Sequence, residues 1–320
     1  MSELASEPAS TAPANAADER QRGGLISRAA VVVNPTKVDD DAAFRKSVLR
    51  VMEEHGWDEP LWLETSPEDG GRGQARSAVS AGVDLVLACG GDGTVTACAE
   101  GVANTGVPLA IIPLGTGNLL ARNVNLPMGL DDALTVALDG DQQPLDAGQV
   151  NGSMFVVMAG LGLDAHMLDG ASEPAKKRLG WLAYVLSAAR HLRDRPMRVT
   201  VRADNGPRRR MRASTLIVGN VGWLQGGLPL MPDARPDDGQ LDAVLLLARG
   251  LTGWLRVAAG IVARRPAHDG IDRIQFTELK VTLDRAQPWE LDGEVMGSTR
   301  SLTVIAQPAA LLLRVPSEAA

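Results

Sequence analysis

The sequence predicts an α/β half followed by a β-rich half, and three observations carry that reading. Between Ala29 and Asn125, short apolar runs alternate with helix-periodic stretches. Beyond Leu145, strand-like runs follow one another with only two helical interruptions. At 320 residues the chain can also bury more than one core.

The first half opens with the β-branched run AAVVVN (29–34). The stretch DDDAAFRKSVLRVMEEHG follows, with Phe44, Val48, Val51 and Met52 on one helical face and Gly56 as the stop. LWLET and GQARSAVSAG repeat the strand-then-helix unit, as do VDLVLA with TVTACAEGVANTG and PLAIIPLG with TGNLLARNV. Four apolar strands separated by helices imply a parallel sheet covered on both faces, with ligands beyond the carboxyl ends of the strands. In the second half, MFVVMAGLGLDA, MRVTVRADNGPRRRMRASTLIVGN, GQLDAVLLLA, IQFTELKVTL, PWELDGE and SLTVIA read as strands joined by turn signals such as Asn205-Gly206. The helical interruptions lie at 174–194 and 251–265. The expected division is 28–140 and 141–315, with the last strands packing back toward the first half, a disordered tail at 1–27 and a short tail at 316–320.

Composition narrows the function. A net charge of −7 argues against nonspecific nucleic-acid binding. The two cysteines, Cys89 and Cys98, lack metal-ligand spacing and fit free thiols in a cytoplasmic protein. No stretch approaches the roughly 18 apolar residues of a membrane span. His55, His166, His191 and His268 are scattered without metal spacing.

The chemistry-bearing stretch is ACGGDGTVT at 88–96, where three glycines and an aspartate end an apolar strand. Glycine weakens a strand, so these positions call for a crowded or left-handed turn, a close ligand, or both. Free N–H groups at the helix start near Gly91, Gly93 and Thr94 attract phosphate oxygens. Asp92 then points an anion at an anion site, which requires a divalent metal between them. A second glycine turn, PLGTGN, supplies Gly115, Thr116, Gly117 and Asn118 beside the first. Two adjacent backbone cradles and a carboxylate point to a nucleotide polyphosphate. No GxxxxGK[ST] motif is present, and GLGLDA at 160–165 lacks the βαβ context of a dinucleotide fingerprint.

The run GGDGTVTACAEGVANTGVPLAIIPLGTGNLLARNVNLP resembles the catalytic domain of lipid kinases related to diacylglycerol and sphingosine kinases. VVVNP, LDAGQVNG, GLGLDA, MPDARPDDGQLD and LDGE continue that resemblance through nearly everything beyond the first 25 or so residues, toward the soluble bacterial diacylglycerol kinase-like group. It implies a nucleotide-binding half shared with NAD kinases and 6-phosphofructokinases; the strand-rich pattern beyond it reads as an antiparallel second domain, β-sandwich-like or a flattened barrel. The resemblance further implies an ATP- and Mg²⁺-dependent transfer to a lipid hydroxyl, with diacylglycerol as the leading acceptor. On this resemblance Asn34, Pro35 and Thr36 contact ATP, Thr65 lines the site, Gly91 to Ala97 hold the phosphates, and Thr116 completes the pocket. Asp92 and Asp146 organise Mg²⁺ and water, Glu294 is the general base, and Asp292 supports it. A structural Mg²⁺ site uses the Asp238 carboxylate with backbone oxygens of Arg235 and Gln240. Relatives imply a homodimer.

Two departures stand out. Lys37 and Val38 replace a frequent Ser-Gly, so a lysine able to reach phosphate comes at the loss of glycine's freedom. Leu119 replaces a frequent aspartate, removing a carboxylate from the metal–water network. Read without the resemblance, LDGE is a tight hairpin turn and PDARPDDG a solvated loop. The helix at 174–194 with its basic ends and the RRRMR run at 208–212 suit either ordinary packing and solvation or peripheral docking on the inner face of an anionic membrane. NAD kinase, which shares GGDGT, and a catalytically silent lipid or nucleotide binder are the competing readings.

Overall fold

The computed structural model describes residues 27–162, 196–224, 228–247 and 270–317. The expected helices at 174–194 and 251–265 lie outside the described residues, as do most of both tails, the second half of GLGLDA, Trp181, His166, His191 and His268.

The first half contains β1 (Ala29–Val33), α1 (Asp41–Glu54), β2 (Leu61–Glu64), α2 (Arg72–Ser80), β3 (Leu85–Gly90), α3 (Asp92–Val102), β4 (Leu109–Pro113), α4 (Leu119–Asn123) and α5 (Leu130–Asp139). The strands run parallel in the order β2-β1-β3-β4. Alternation along them feeds two cores. Val31, Leu85, Leu87 and Ile112 meet α1 through Phe44, Val48, Val51 and Met52, and meet α5 through Leu134 and Leu138. Ala30, Val32, Val86 and Ile111 meet α2 and α3 on the opposite face. Helix α5 is absent from the sequence reading, although Leu130, Ala133, Leu134, Ala137 and Leu138 have helical spacing between Gly129 and Gly140.

The second half follows as β5 (Asp141–Val150), β6 (Ser153–Phe155), β7 (Met158–Leu161), β8 (Met197–Ala203), β9 (Arg209–Ala213), β10 (Thr215–Gly219), β11 (Trp223–Leu224), β12 (Leu228–Pro229), β13 (Leu241–Leu246), β14 (Ile271–Phe276), β15 (Glu278–Leu291) and β16 (Glu294–Val315). Its pairings are antiparallel. Phe155, Val199, Val218, Phe276, Val281 and Val304 centre its core. At the β8–β9 connection the left-handed residue is Asp204 (φ 47°), not Asn205 or Gly206. Its carboxylate accepts from the Thr277 N–H and hydroxyl and the Glu278 N–H, which fixes the turn against β15.

Strand β16 joins the halves. It pairs with β15, then with β5, and finally runs parallel to β4 with Leu313 opposite Leu109. One 14-stranded sheet therefore passes through the described residues. Among them no helix is long and apolar enough to cross a membrane.

Candidate functional site

At the carboxyl rim of the parallel sheet, β1, β3 and β4 each end in a turn. Asn34 follows β1, and its Oδ1 accepts from the Thr36 N–H (3.0 Å) and hydroxyl (2.8 Å), closing a short 3₁₀ turn over Pro35–Lys37. Its amide nitrogen reaches the Thr94 hydroxyl at 3.4 Å, linking this turn to the start of α3. Lys37 is exposed there, while Val38 packs against the α1 core. The Thr65 N–H bonds to the Val33 carbonyl and extends the β1–β2 pairing into the same rim.

The glycines of ACGGDGTVT are not there for handedness, since none of Gly90, Gly91 and Gly93 has positive φ, and close packing accounts for Gly90 alone. A Cβ on Gly90 would lie 2.6 Å from the Thr94 side chain. A Cβ on Gly115 would lie 2.6 Å from the Gly91 Cα, so the two glycine turns touch backbone to backbone. Gly93 has open space where a side chain would stand. Gly91 is the N-cap of α3 and provides no capping side chain. The first amides of α3 therefore face the rim with the positive end of the helix dipole, an arrangement suited to phosphate oxygens.

Asp92 has hydrogen-bond partners within the protein. Its carboxylate accepts from the Leu119 N–H (2.5 Å) and the Asn118 N–H (2.9 Å), capping α4. The protein itself supplies positive partners, so the anion has a structural reason to be there. The second turn is accordingly only partly a cradle. Asn118 is left-handed (φ 49°) and bonds both ways with Gly115, accepting from its N–H and donating to its carbonyl. Thr116 is exposed and the Gly117 carbonyl accepts from the Arg122 guanidinium. Leu119 turns its side chain into the core beside α4. Its substitution for a carboxylate leaves the Asp92 cap intact, because that cap uses backbone amides.

LDGE is a two-residue hairpin: Leu291 pairs with Glu294 across Asp292 (φ 46°) and Gly293 (φ 89°). The Asp292 carboxylate accepts from the Val156, Val157 and Met158 amides at 2.8–2.9 Å and from the Thr96 hydroxyl at 2.7 Å. Enclosure pushes its pKa up, opposed by the four hydrogen bonds to the charged form. This anchor fastens the hairpin to the second turn of α3. Glu294 lies two residues further on, exposed, and is followed by the exposed apolar side chains Val295 and Met296.

Sequence reasoning missed Glu290 on the same hairpin. It is 2% exposed, its Oε2 has no hydrogen-bond partner, and it lies over Gly160, where a Cβ would come within 2.6 Å of its Oε1. Burial, aided by the nearby Asp292 charge, pushes its pKa up to about 7. Only the strand alternation in PWELDGE hinted that a glutamate would face inward.

Asp146 and the metal-site candidates meet in a different place. Asp146 is buried, accepts from the Gly239 and Ala309 amides, and donates its own N–H to the Pro236 carbonyl. It thus holds the 235–240 loop against β16. Within that loop the Asp238 carboxylate accepts from the Gln240 N–H and the Gln275 side chain. Asp242 has its pKa raised to about 6 by burial and by the charges of Asp238 and Asp233, with Arg273 acting in the opposite direction. Carboxylate oxygens under mutual repulsion fit a hard cation such as Mg²⁺, although among the described residues no three His, Cys, Asp or Glu side chains form a ready metal cluster.

Comparison with known proteins defines the class first. The description "Diacylglycerol kinase catalytic domain" matches residues 28–150, and "YegS C-terminal NAD kinase beta sandwich-like domain" matches 156–315. A diacylglycerol kinase structure from Bacillus anthracis str. Sterne superposes with a TM-score of 0.70 at 19% identity, covering 90% of this chain and 97% of that one. Yeast NADH kinase gives 0.51 at 10% identity, covering 92% and 85%. These likenesses establish the fold: a kinase-type α/β half with a β-sandwich-like second half. In sequence, the chain is 31% identical to "Diacylglycerol kinase" of Bacillus subtilis (strain 168) over 284 residues, 85% of this chain and 91% of that one. It is 33% identical to "Probable lipid kinase YegS-like" of Pseudomonas fluorescens over 277 residues, 82% and 87%. The chain belongs to the diacylglycerol kinase-like lipid kinase family.

Proposed function

We propose that this chain transfers the γ-phosphoryl group of ATP to the hydroxyl of a membrane lipid, with diacylglycerol as the acceptor and phosphatidic acid as the product. One observation carries the reading: Asp292 fastens the 291–294 hairpin to α3, so Glu294 and its apolar neighbours Val295 and Met296 stand next to the helix whose N-terminus is uncapped. A carboxylate flanked by exposed apolar side chains suits an alcohol carried on an acyl glycerol.

In the reaction, the acceptor oxygen attacks the γ-phosphorus while Glu294 takes the hydroxyl proton, and the bond to the bridging oxygen of ADP breaks. The α3 amides orient the phosphates, and Asn34 with Thr94 holds the neighbouring turn in place. A magnesium ion bound with the triphosphate neutralises charge on its oxygens. Asp238, with backbone oxygens of Arg235 and Gln240, would hold a second, structural ion, and Asp146 ties that loop to the sheet.

The test is transfer from γ-labelled ATP to diacylglycerol, sphingosine, ceramide and NAD, each with and without magnesium. Label in the organic phase with diacylglycerol is the expected result. Label only in the aqueous phase with NAD, or none at all, refutes the reading. Glu294→Gln is expected to lower turnover by about 10²–10⁴-fold while leaving nucleotide binding unchanged, and near-normal turnover would remove Glu294 from the base role.

A further inference from the structure

The outer face of β8, β9 and β15 carries a block of unpaired positive charge in an acidic chain. Met197, Val199 and Val201 of β8 point into the core, so Arg198, Thr200 and Arg202 point out. Met211 and Ala213 likewise place Arg210 and Arg212 outward on β9, and Leu279, Val281 and Leu283 place Lys280 and Thr282 outward on β15. Register then sets Arg212 directly opposite Arg198, Arg210 opposite Thr200, and Arg202 opposite Lys280. Arg208 immediately precedes β9 and is also exposed.

Among the described residues none of these five arginines makes an ion pair. Lys280 pairs with Glu278 on its own strand, and Arg209, on the other side of β9, pairs with Asp272. Asp284, the second carboxylate on this face, accepts from the backbone N–H of Arg198 rather than from its guanidinium. Among the described residues the face thus has six cations against two carboxylates, within a chain of net charge −7. Like charges placed opposite one another across strands destabilise a sheet, and here two such pairs, Arg212–Arg198 and Arg202–Lys280, stand at the two ends of the face with Arg210 and Thr200 between them. From strand spacing and rise the patch is about 10 Å by about 14 Å. Among its described residues none is an aromatic side chain on which a base could stack. Guanidinium forks match phosphate oxygens. Ile305 on β16, 39% exposed and opposite Glu278, adds an apolar contact at the border.

We propose that this face docks the protein on a bilayer of anionic phospholipid, a partner whose phosphates relieve the repulsion between the arginines. The inference rests on the lipid kinase reading for its biological sense, since the acceptor resides in such a bilayer.

The experiment compares the wild type with a variant carrying Arg198→Gln, Arg202→Gln, Arg210→Gln and Arg212→Gln. Sedimentation uses vesicles of phosphatidylcholine alone and of phosphatidylcholine mixed with phosphatidylglycerol. The wild type is expected to bind only the anionic vesicles and to be released by high salt, and the variant is expected to bind them at least about 30-fold more weakly. A control variant with Arg45→Gln, Arg50→Gln and Arg72→Gln, on the first half, retains binding. The melting temperature of the quadruple variant stays the same or rises, because repulsion has been removed. Its activity on a short-chain diacylglycerol dispersed in detergent stays within about twofold of wild type. Equal vesicle binding by the quadruple variant, equal binding to neutral vesicles, or arginine-dependent binding to duplex nucleic acid in place of vesicles overturns the proposal. Absence of activity on dispersed lipid in the wild type counts against the kinase reading and leaves the vesicle result to be judged separately.

Discussion

The turn at 90–94 delivers α3 without a side-chain cap, whereas the turn at 114–118 delivers α4 with its Asn118 and Leu119 amides already bonded to Asp92. Both are glycine-rich ends of buried parallel strands, and they touch at Gly91 and Gly115. Their sequences look equally suited to phosphate, yet the opening amides of α4 are bonded to a side chain, while α3 has no capping side chain and begins with Asp92 itself. The carboxylate that closes the second helix comes from the first residue of the first helix. One acid thus holds the turns together. The hairpin repeats the contrast: Asp292 has four donors, while the Oε2 of Glu290, two residues earlier, has none.

The largest effect is expected where a satisfied acid is removed. Asp292→Ala leaves three backbone amides and the Thr96 hydroxyl without their acceptor, and should cost about 4 kcal/mol of stability. Denaturant unfolding measures this, together with loss of phosphoryl transfer as the hairpin leaves α3. A loss below about 1 kcal/mol would mean that the anchor is dispensable.

Next comes the acid with an unpartnered oxygen. The folded pKa of Glu290, about 7, stands above the ordinary 4.5, so folding favours the protonated form. Stability from this residue is complete below about pH 4.5 and declines as pH rises through 7, by at most about 3 kcal/mol. Glu290→Gln should therefore melt like the wild type near pH 5 and above it near pH 8. A difference independent of pH would show that the carboxyl is not the titrating group.

The smallest and most discriminating effect concerns Gly93. It has negative φ and open space around its Cα, so Gly93→Ala should stabilise the free protein by about 0.5–1 kcal/mol. If phosphates approach the α3 amides, the same methyl group weakens ATP binding, which calorimetry reads directly. Unchanged affinity together with higher stability would move the nucleotide away from this turn.

Much of this was visible in the chain itself. The four parallel strands follow from their apolar runs, and Phe44, Val48, Val51 and Met52 are the buried residues of α1, as their spacing indicated. The Asp292-Gly293 turn was equally readable, since few other residue pairs adopt two positive φ values. The partners of Asp92 were not readable: they lie 26 and 27 positions away and are backbone amides, which carry no residue signature. The burial of Glu290 and the arginine grid were hidden for a related reason. Both depend on strand register, and register is set by tertiary pairing between segments far apart in sequence. Helix α5 differs, because its periodicity was present and overlooked.

Strand β16 has a consequence for how the molecule is made. Residues near its carboxyl end complete the pairing of β4 and β5, so the parallel sheet of the first half depends on a segment translated long after its own strands. During vectorial synthesis the β4 edge waits open, and edges of that kind invite wrong partners. The nascent first half should therefore behave as a chaperone client, acquiring protease resistance only once Leu313 has cleared the ribosome.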